Sequence, residues 1–393
     1  MKKIFFKICR RIMLGLAGLA STAFLFAVSA EIVSGQELTI KQQLGKLLFF
    51  DTNLSTPKGM SCATCHSPEA AFTDPHSNLP VSQGVISGRF GSRNAPSAAY
   101  AAFSPPLFFD TTVRPGIMQG MYVGGQFWDG RVDTLKEQAK QPFLNPLEMN
   151  NFSNMQVILK VRSSAYADLF EEVFGPGSLS LKWGNIDTAF NHVVEAIAEY
   201  ERSSEVCQFS CKYDQHLTDP AGVPLTDSEV RGLELFIGKA KCKNCHFVNT
   251  NNLAGKPLFT SFGYQNIGVP KNPENPFYNL PRRFNPAGQN FVDIGLGAVI
   301  YGDMEKGKFK IPTLRNVAVT APYMHNGVFK TLREVLDFDN TRDTANWPPP
   351  EVDMNVHRHM PPMDGTFGRL GLTDQEIEDI IAFLQTLTDG YQP

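Results

Sequence analysis

This 393-residue sequence lacks an excess of charge of either sign. Its 36 Lys and Arg residues nearly balance its 39 Asp and Glu residues, which gives a formal net charge of -3 at pH 7. Nucleic-acid-binding proteins usually present a strongly basic surface, so this balance gives no sign of a nucleic-acid partner. Hydrophobic residues make up 42% of the chain, enough for the cores of two domains. The 32 glycines and 27 prolines indicate many loops.

Cysteine is also scarce, and four of the seven cysteines stand in two copies of one pattern. The copies are Cys62-Ala63-Thr64-Cys65-His66 and Cys242-Lys243-Asn244-Cys245-His246. C-x-x-C-H is the attachment site of a c-type haem, in which each thiol bonds one vinyl group and the adjoining imidazole binds the iron. A zinc site would want further Cys or His ligands close by, and neither copy clearly has them. The sequence therefore predicts two covalently bound c-type haems.

The remaining cysteines suggest no catalytic chemistry. Cys9 lies in the N-terminal segment, before the first motif. Cys207 and Cys211 are separated by four positions. In an oxidising compartment a loop disulfide between them is plausible. Their short separation fits two free thiols nearly as well, so both alternatives stay open.

The N-terminal segment has the pattern of an export signal. An apolar run from Ile12 to Val28 follows a basic region and ends at the small-x-small sequence Val28-Ser29-Ala30. We therefore predict a cleaved signal peptide over residues 1–30 and a periplasmic location, which covalent haem attachment also fits. The run is slightly long for a signal, so an uncleaved anchor is the alternative. No cysteine follows the run, which argues against a lipoprotein.

Helical patterns repeat around the two haem motifs. Helices are predicted over residues 38–50, from Thr134 to Pro142, over 153–161 and 186–200, from Thr226 to Gly238, and after Thr373. Each haem motif therefore follows a helix and is followed by loops and a closing helix. The fold class is predicted as mainly α, with two class I cytochrome c-like haem domains, long loops and an interface between the domains. The boundaries are 31–215 and 216–393, since residues 207–225 are polar and contain proline.

Two histidines outside the motifs are interpreted as exposed. His192 lies off the apolar face of the helix over residues 186–200, beside acidic residues, so it is predicted to be solvated. His76 follows His66 by ten positions and is either a switchable distal ligand or an exposed loop histidine. The second interpretation is preferred, because the surrounding stretch is rich in Gly, Ser and Pro.

Several further motifs occur in a specific combination. Phe127-Trp128-Asp129-Gly130-Arg131 is followed by Gln138, Pro142 and Glu148, at offsets of 10, 14 and 20 from Trp128. Gly91-Ser92-Arg93-Asn94-Ala95-Pro96 precedes them, and Pro312-Thr313-Leu314-Arg315-Asn316 and Ala321-Pro322-Tyr323-Met324-His325-Asn326-Gly327 come later. Over roughly residues 40–390 the chain resembles the bacterial di-haem cytochrome c peroxidases and the related MauG proteins.

The resemblance implies roles for individual residues. The haem on His66 would be the peroxidatic one, with Gln138 and Glu148 lining its distal pocket and Pro142 beside them. The haem on His246 would receive electrons from outside. Trp128 would lie between the two haems and relay electrons. A calcium ion would be bound by the Asn94 side chain and by the Thr320 and Pro322 carbonyls, which are the hard oxygen ligands that calcium prefers.

One position departs from the family pattern. The sixth ligand of the second haem lies 14 residues after the position of His325, and it is Met in the peroxidases and Tyr in the MauG-like group. Here that position is Asp339. Three outcomes stay open: Asp339 binds the iron, the later loop supplies another ligand, or the sixth site is empty or holds water. The loop candidates are Met354, His357, His359 and Met360. An anionic oxygen ligand would favour Fe(III) and lower the reduction potential.

The leading functional expectation is a periplasmic peroxidase that reduces hydrogen peroxide to water. Electrons would come from a small c-type cytochrome or a copper protein of the cupredoxin type. Glu148 would move a proton between the peroxide oxygens, and Gln138 would orient the peroxide. The first alternative is a MauG-like enzyme that oxidises residues of a partner protein, and the second is a non-enzymatic di-haem electron carrier. A homodimer is a further expectation.

Overall fold

The computed structural model describes residues 37–111, 120–182, 184–251, 253–356 and 367–392. The predicted signal peptide and three candidate ligands, His357, His359 and Met360, lie outside the described residues. The described chain is largely helical with two small sheets, which confirms the prediction of a mainly α fold. Among the described residues, no helix combines the length and the apolar character that crossing a membrane requires.

The regular elements are short and are separated by long loops. The helices are α1 (Ile40–Phe50), α2 (Cys62–Cys65), α3 (Leu135–Leu144), α4 (Asn154–Arg162), α5 (Ala167–Phe174), α6 (Ile186–Glu201), α7 (Lys212–Thr218), α8 (Asp227–Ile237), α9 (Gly297–Ile300), α10 (Leu332–Thr341) and α11 (Asp374–Gln385). The strands are β1 (Phe108–Asp110), β2 (Met121–Val123), β3 (Tyr264–Gln265) and β4 (Phe309–Lys310). β1 pairs with β2 and β3 with β4, both antiparallel.

Local capping interactions start several of these helices. The side chains of Thr39, Thr226, Thr331 and Thr373 each accept a hydrogen bond from the backbone N–H three residues on. In all four helices the third residue's Gln or Glu side chain accepts the threonine's own N–H in return. Reciprocal bonds of this kind satisfy backbone donors that the first helical turn leaves unpaired. The predicted starts of α8 and α11 are therefore confirmed, and α1 begins two residues after its predicted start at residue 38.

A glycine marks the crossing of the same two helices in each half of the chain. α1 packs against α6, and α8 packs against α11. A Cβ atom on Gly45 would lie 1.9 Å from the carbonyl oxygen of Ala196, and one on Gly232 would lie 1.9 Å from that of Asp379. Only glycine permits such close backbone approach. The helix before each haem motif thus meets a closing helix in the same way, as the predicted duplication requires.

Two hydrophobic clusters hold most of the buried side chains. The first is built around α1, α3, α4 and α6, and the second around α8 and α11. Cys211 and Tyr213, which precede the predicted boundary, pack in the second cluster. Leu258 and Phe262, which follow that boundary, pack in the first cluster. The division at residues 215 and 216 stays a prediction, and segments near it contribute to both cores.

The structure departs from the predicted helix details at several positions. α3 continues past Pro142 to Leu144, because proline in the last helical turn loses one backbone hydrogen bond while Phe143 gains a buried place in the core. Helical spacing predicts that Ile40 and Leu47 of α1 and Val230 of α8 lie on the apolar faces of their helices, but all three are exposed. Helix periodicity shows which face is apolar, but the neighbouring elements decide how much of that face is covered.

The prediction for His192 is wrong, whereas the preferred interpretation of His76 is confirmed. The His192 ring is half-buried and stacks on Phe174, with ring centroids 4.2 Å apart and planes 2° from parallel. Burial lowers the pKa of His192. Helix α5, which carries Phe174, covers a face of α6 that the sequence pattern predicts to be polar. His76 is exposed and pairs with Asp74.

Candidate active site

The first haem motif forms a single helical turn that leads into a histidine held in one orientation. The His66 backbone N–H donates to the Cys62 carbonyl at 2.9 Å. The His66 Nδ1 atom lies 3.0 Å from the Phe72 carbonyl oxygen. Burial lowers the pKa of His66, so the ring is neutral near pH 7. A neutral ring that donates through Nδ1 leaves the Nε2 lone pair for a metal.

The second motif repeats this arrangement in a different local structure. Cys242–Asn244 forms a 3-10 turn, and the His246 backbone N–H donates to the Cys242 carbonyl at 2.8 Å. The His246 Nδ1 atom lies 2.9 Å from the Phe259 carbonyl oxygen. Burial lowers the pKa of His246 to about 4. Both histidines therefore offer Nε2 as a metal ligand.

A large, mainly apolar cavity borders the second motif. Its empty volume is about 1220 Å³, part of it open to solvent. Cys242, Cys245 and His246 line it on one side, together with apolar side chains from α8, α10 and α11. Burial also raises the pKa of the thiols of both motifs. A flat, mostly apolar macrocycle bonded to two thiols fits this cavity.

Asp339 faces the cavity of the second motif from α10. Its Oδ1 atom is buried and has no hydrogen-bond partner among the described residues. Burial raises the pKa of Asp339 to about 7, and Arg342 acts in the opposite direction. Burial is the main cause that raises the pKa of the Cys242 and Cys245 thiols, and the charge of Asp339 is the second. The Asp339 carboxyl group therefore lies close to both thiols. Met354 is 52% exposed and is not among the residues that line this cavity.

Glu148 occupies a comparable place beside the first motif. It lies in the loop after α3, and its carbonyl accepts a hydrogen bond from the Val85 N–H at 2.9 Å. The Oε2 atom is buried and has no hydrogen-bond partner among the described residues. Burial raises the pKa of Glu148, while Arg131 and a hydrogen bond with Asn145 act in the opposite direction. The Glu148 charge adds to burial in raising the pKa of the Cys62 and Cys65 thiols, which places the carboxyl group near the motif.

Gln138 and Pro142 share one face of α3, since residues four apart lie one above the other on a helix. Gln138 is half-buried. The Pro142 carbonyl accepts a hydrogen bond from the Met149 N–H at 3.1 Å. That bond ties the loop that carries Glu148 back to the last turn of α3. The helix and its following loop thus belong to one local unit, as the sequence suggested.

Trp128 stands between two cavities. It lines the cavity of the second motif and a neighbouring cavity with about 920 Å³ of empty space. The indole Nε1–H donates to the Asn94 carbonyl at 2.9 Å. The adjacent Asp129 pairs with Arg93, which also binds Asp293 through two hydrogen bonds. These contacts hold the Trp128 loop against residues from both halves of the chain.

The predicted calcium ligands line one cavity. Asn94, Thr320 and Pro322 all border the cavity of about 920 Å³ next to Trp128. The Asn94 side-chain nitrogen donates to the Pro80 carbonyl at 3.3 Å. Within the described parts of the chain, no cluster of three or more His, Cys, Asp or Glu side chains could hold a metal ion. A cation in this cavity would therefore depend on amide and carbonyl oxygens.

The sequence did not point to several buried polar groups near these sites. Glu201 is 5% exposed, its Oε2 atom has no hydrogen-bond partner among the described residues, and burial raises its pKa to about 8. Lys310 lines both cavities. Each lies in an otherwise ordinary stretch, so no local signal marks it. Cys207 and Cys211 are buried free thiols in the structure, which favours that alternative over a disulfide.

Comparisons with known proteins show which family the chain resembles along most of its length. A family model described as di-haem cytochrome c peroxidase matches residues 39–221. The methylamine utilization protein MauG of Paracoccus denitrificans is 38% identical over 369 residues, which covers 89% of each chain. The cytochrome-c peroxidase IdrP1 of a Pseudomonas strain is 28% identical over 360 residues, 88% of this chain and 80% of that one. The crystal structure of the diheme peroxidase BthA from Burkholderia thailandensis is similar with a TM-score of 0.73 and 34% identity, covering 90% and 87% of the two chains.

Proposed function

Since the chain belongs to the di-haem cytochrome c peroxidase family, which includes MauG, we propose that this enzyme reduces hydrogen peroxide to water. Electrons would come from a small c-type cytochrome or a cupredoxin. The observation that carries the proposal is the Oε2 atom of Glu148, which is buried near the first haem motif without a hydrogen-bond partner among the described residues. A purely structural carboxylate would be expected to have its oxygens hydrogen-bonded.

Two covalently bound c-type haems fit the residues present. Cys62, Cys65 and His66 would hold one, and Cys242, Cys245 and His246 would hold the other. When bound, the haems supply iron that takes up peroxide at the first site and exchanges electrons at both. The Phe72 and Phe259 carbonyls keep the two imidazoles in the tautomer that binds a metal through Nε2.

Glu148 serves as the proton carrier of the proposed reaction. Burial raises its pKa from the ordinary glutamate range toward neutrality, which suits a group that first accepts and then donates a proton. It would take a proton from the nearer peroxide oxygen and deliver it to the farther one, so that cleavage of the O–O bond releases one water. Two electrons from the donor protein and two protons would then convert the other oxygen to a second water. The Gln138 amide donates a hydrogen bond that orients the peroxide. Pro142 limits the space beside these two side chains.

Trp128 carries electrons between the two sites in this proposal. Its ring borders both cavities, and its indole N–H and its carbonyl are both hydrogen-bonded. A ring held this firmly stays in one position while electrons pass. The support is its location at the boundary of the two spaces.

Asp339 is the proposed sixth ligand of the second haem iron. Burying an ionised carboxyl oxygen without a partner costs free energy, and a bound metal ion would offset that cost. Asp339 lines the cavity that contains His246, whereas the Met354 side chain is exposed. An anionic oxygen ligand stabilises Fe(III), so this haem would have a lower potential than one with a methionine ligand.

The remaining expectations belong to the same proposal. The haems would be held in two class I cytochrome c-like domains, residues 31–215 and 216–393. The two hydrophobic clusters and the repeated glycine crossings support this division. A signal peptide over residues 1–30 would bring the protein to the periplasm, and calcium would bind at Asn94, Thr320 and Pro322. A homodimer is the expected assembly.

The second candidate is a MauG-like enzyme that uses peroxide to oxidise residues of a partner protein. The 38% identity to MauG over 89% of the chain favours it. A non-enzymatic electron carrier is not proposed, because the named peroxidase relatives are enzymes. The unpartnered oxygen of Glu148 would also have no use in a carrier.

The experiment that separates the two candidates is peroxide-dependent oxidation of a reduced small c-type cytochrome. The assay uses the fully ferric protein and the same protein after one-electron reduction. Fast turnover in either form supports the peroxidase, and the difference between the two shows whether reduction must come first. A long-lived oxidised spectrum without turnover would refute the peroxidase in favour of partner oxidation.

A further inference from the structure

Lys310 is the second residue of β4 and lies next to the proposed electron relay. Its backbone N–H donates to the Trp128 carbonyl at 2.8 Å. Across the sheet it is paired with Tyr264 of β3. Its side chain lines the cavity of the second haem motif and also the neighbouring cavity beyond Trp128. The residue therefore lies in the wall that the two cavities share.

The ammonium group of Lys310 is incompletely partnered. Its Nζ donates to the Gly125 carbonyl at 2.7 Å, and the same carbonyl also accepts from the Ser104 hydroxyl at 2.8 Å. An ammonium group has three donors. Across the described residues, Lys310 forms no ion pair with a carboxylate. Asp129, whose charge raises the pKa of Lys310, is already paired with Arg93 and Arg131.

Lys310 is half-buried, and a cation that is partly removed from water without an anion is unfavourable. Burial lowers the pKa of Lys310 to about 7, and the charge of Asp129 opposes the change only in part. Buried charges in proteins are normally paired. The wall between the cavities thus offers two unused hydrogen-bond donors and lacks a negative charge.

A second polar group in the same cavity also lacks a partner. His325 is 4% exposed and stacks on Phe309, the other residue of β4, with ring centroids 3.5 Å apart. Its Nε2 atom has no hydrogen-bond partner among the described residues. The Oε2 atom of Glu351 lies 3.8 Å from this nitrogen. Both groups have unused hydrogen-bonding capacity, in a cavity whose lining also includes the carboxyl groups of Asp293, Asp339 and Glu351.

We propose that the Lys310 ammonium binds a carboxylate side chain of the haem of the second motif, at the wall that the two cavities share. The inference rests on the two-haem part of the proposed function and not on the peroxidase reaction. The Lys310 backbone holds Trp128, and the Lys310 side chain holds the edge of the haem. Lys310 is therefore a positioning residue for electron transfer. Its positive charge also favours the reduced state of the haem that it contacts.

The test measures the midpoint potentials of both haems in the holoprotein by potentiometric titration. The variant Lys310→Met removes the charge and keeps the length of the side chain, whereas Lys310→Arg keeps the charge. We expect Lys310→Met to lower the midpoint potential of the second haem, which corresponds to roughly a tenfold change in its reduction equilibrium constant. We expect Lys310→Arg to remain close to the wild type. Lys310→Met with both haems attached and both potentials unchanged would overturn the proposal.

Lys160→Met is the matched control. The Lys160 Nζ donates to the Ser55 carbonyl and the Asn151 side chain, and Lys160 lines neither cavity. Lys160→Met removes the same charge from the protein but from a position outside both cavities. The midpoint potentials of both haems in this variant should therefore match those of the wild type. A lowered potential in this variant equal to that of Lys310→Met would show a general charge effect and refute a specific contact.

A measurement on the wild type covers the case in which Lys310→Met does not fold. Resonance Raman spectra in H₂O and D₂O report whether the haem carboxylate modes shift when N–H donors are deuterated. A shift is expected, and its absence in both haems would contradict the contact. Peroxide turnover is followed in the same samples. Loss of turnover with the Raman shift intact would count against the proposed reaction alone.

Discussion

Replacing Glu148 by glutamine should remove the proton carrier and preserve the shape of the site. Glutamine has the same length, but its amide cannot accept and return a proton at neutral pH. General acid–base catalysis typically contributes 10²- to 10⁴-fold to a rate. We therefore expect peroxide cleavage to slow by at least about 10²-fold, a loss of about 2.7 kcal/mol of transition-state stabilisation.

The pH dependence gives a second, independent expectation for Glu148. Burial raises the pKa of the carboxyl group, so its ionised, proton-accepting form is lost as the pH falls through that raised value. The rate of peroxide cleavage should therefore rise with pH along a limb that lies above the ordinary glutamate range. In Glu148→Gln this limb should disappear, because no group titrates at this position.

The assay is stopped-flow absorbance of the haem bands after mixing with peroxide, with haem content measured in each preparation. Glu137→Gln is the matched control, since Glu137 lies on α3 and pairs with Lys140 at the surface. Its rate should match the wild type. Unchanged cleavage in Glu148→Gln, with both haems attached, would refute the proton-carrier role.

Three further predictions follow from the same geometry. Asp339→Asn should change the ferric spectrum of the second haem and raise its potential, seen by absorbance and redox titration, and identical spectra would exclude Asp339 as a ligand. Trp128→Phe should slow electron exchange between the haems in stopped-flow traces while peroxide still reacts, so unaltered exchange would refute the relay. Gly45→Ala and Gly232→Ala should each destabilise the protein by about 1–3 kcal/mol in urea, since the new Cβ would overlap a carbonyl. Gly91→Ala, whose Cβ would have its nearest neighbour at 3.7 Å, should be nearly neutral, and equal losses in all three would contradict the crossing argument.

The haem motifs and the helix starts could be predicted because their signals are local. Two thiols and an imidazole within five consecutive residues define covalent attachment without reference to the fold. A threonine and a Gln or Glu three residues later satisfy each other's backbone groups in the same way. These interactions span a single turn of chain, so the order of residues is enough to recognise them.

The candidate site was predicted in part. The family motifs identified Gln138, Glu148 and Trp128 as candidate site residues. Nothing local showed that a Glu148 oxygen would be buried without a partner, or that Trp128 would border two cavities. For Asp339 the sequence left three outcomes open, and its position in the cavity of the second motif supports the proposed ligand role.

The tertiary structure decided the features that depend on desolvation. His192 is covered by the Phe174 ring from another helix, although its own helix places it on a polar face. Lys310 is half-buried and donates to a carbonyl 185 positions away in the chain. Loss of water around a charged group depends on every element that packs over it. The chain order therefore specifies the covalent chemistry and the local turns, whereas packing decides which acids and bases have shifted pKa values at the site.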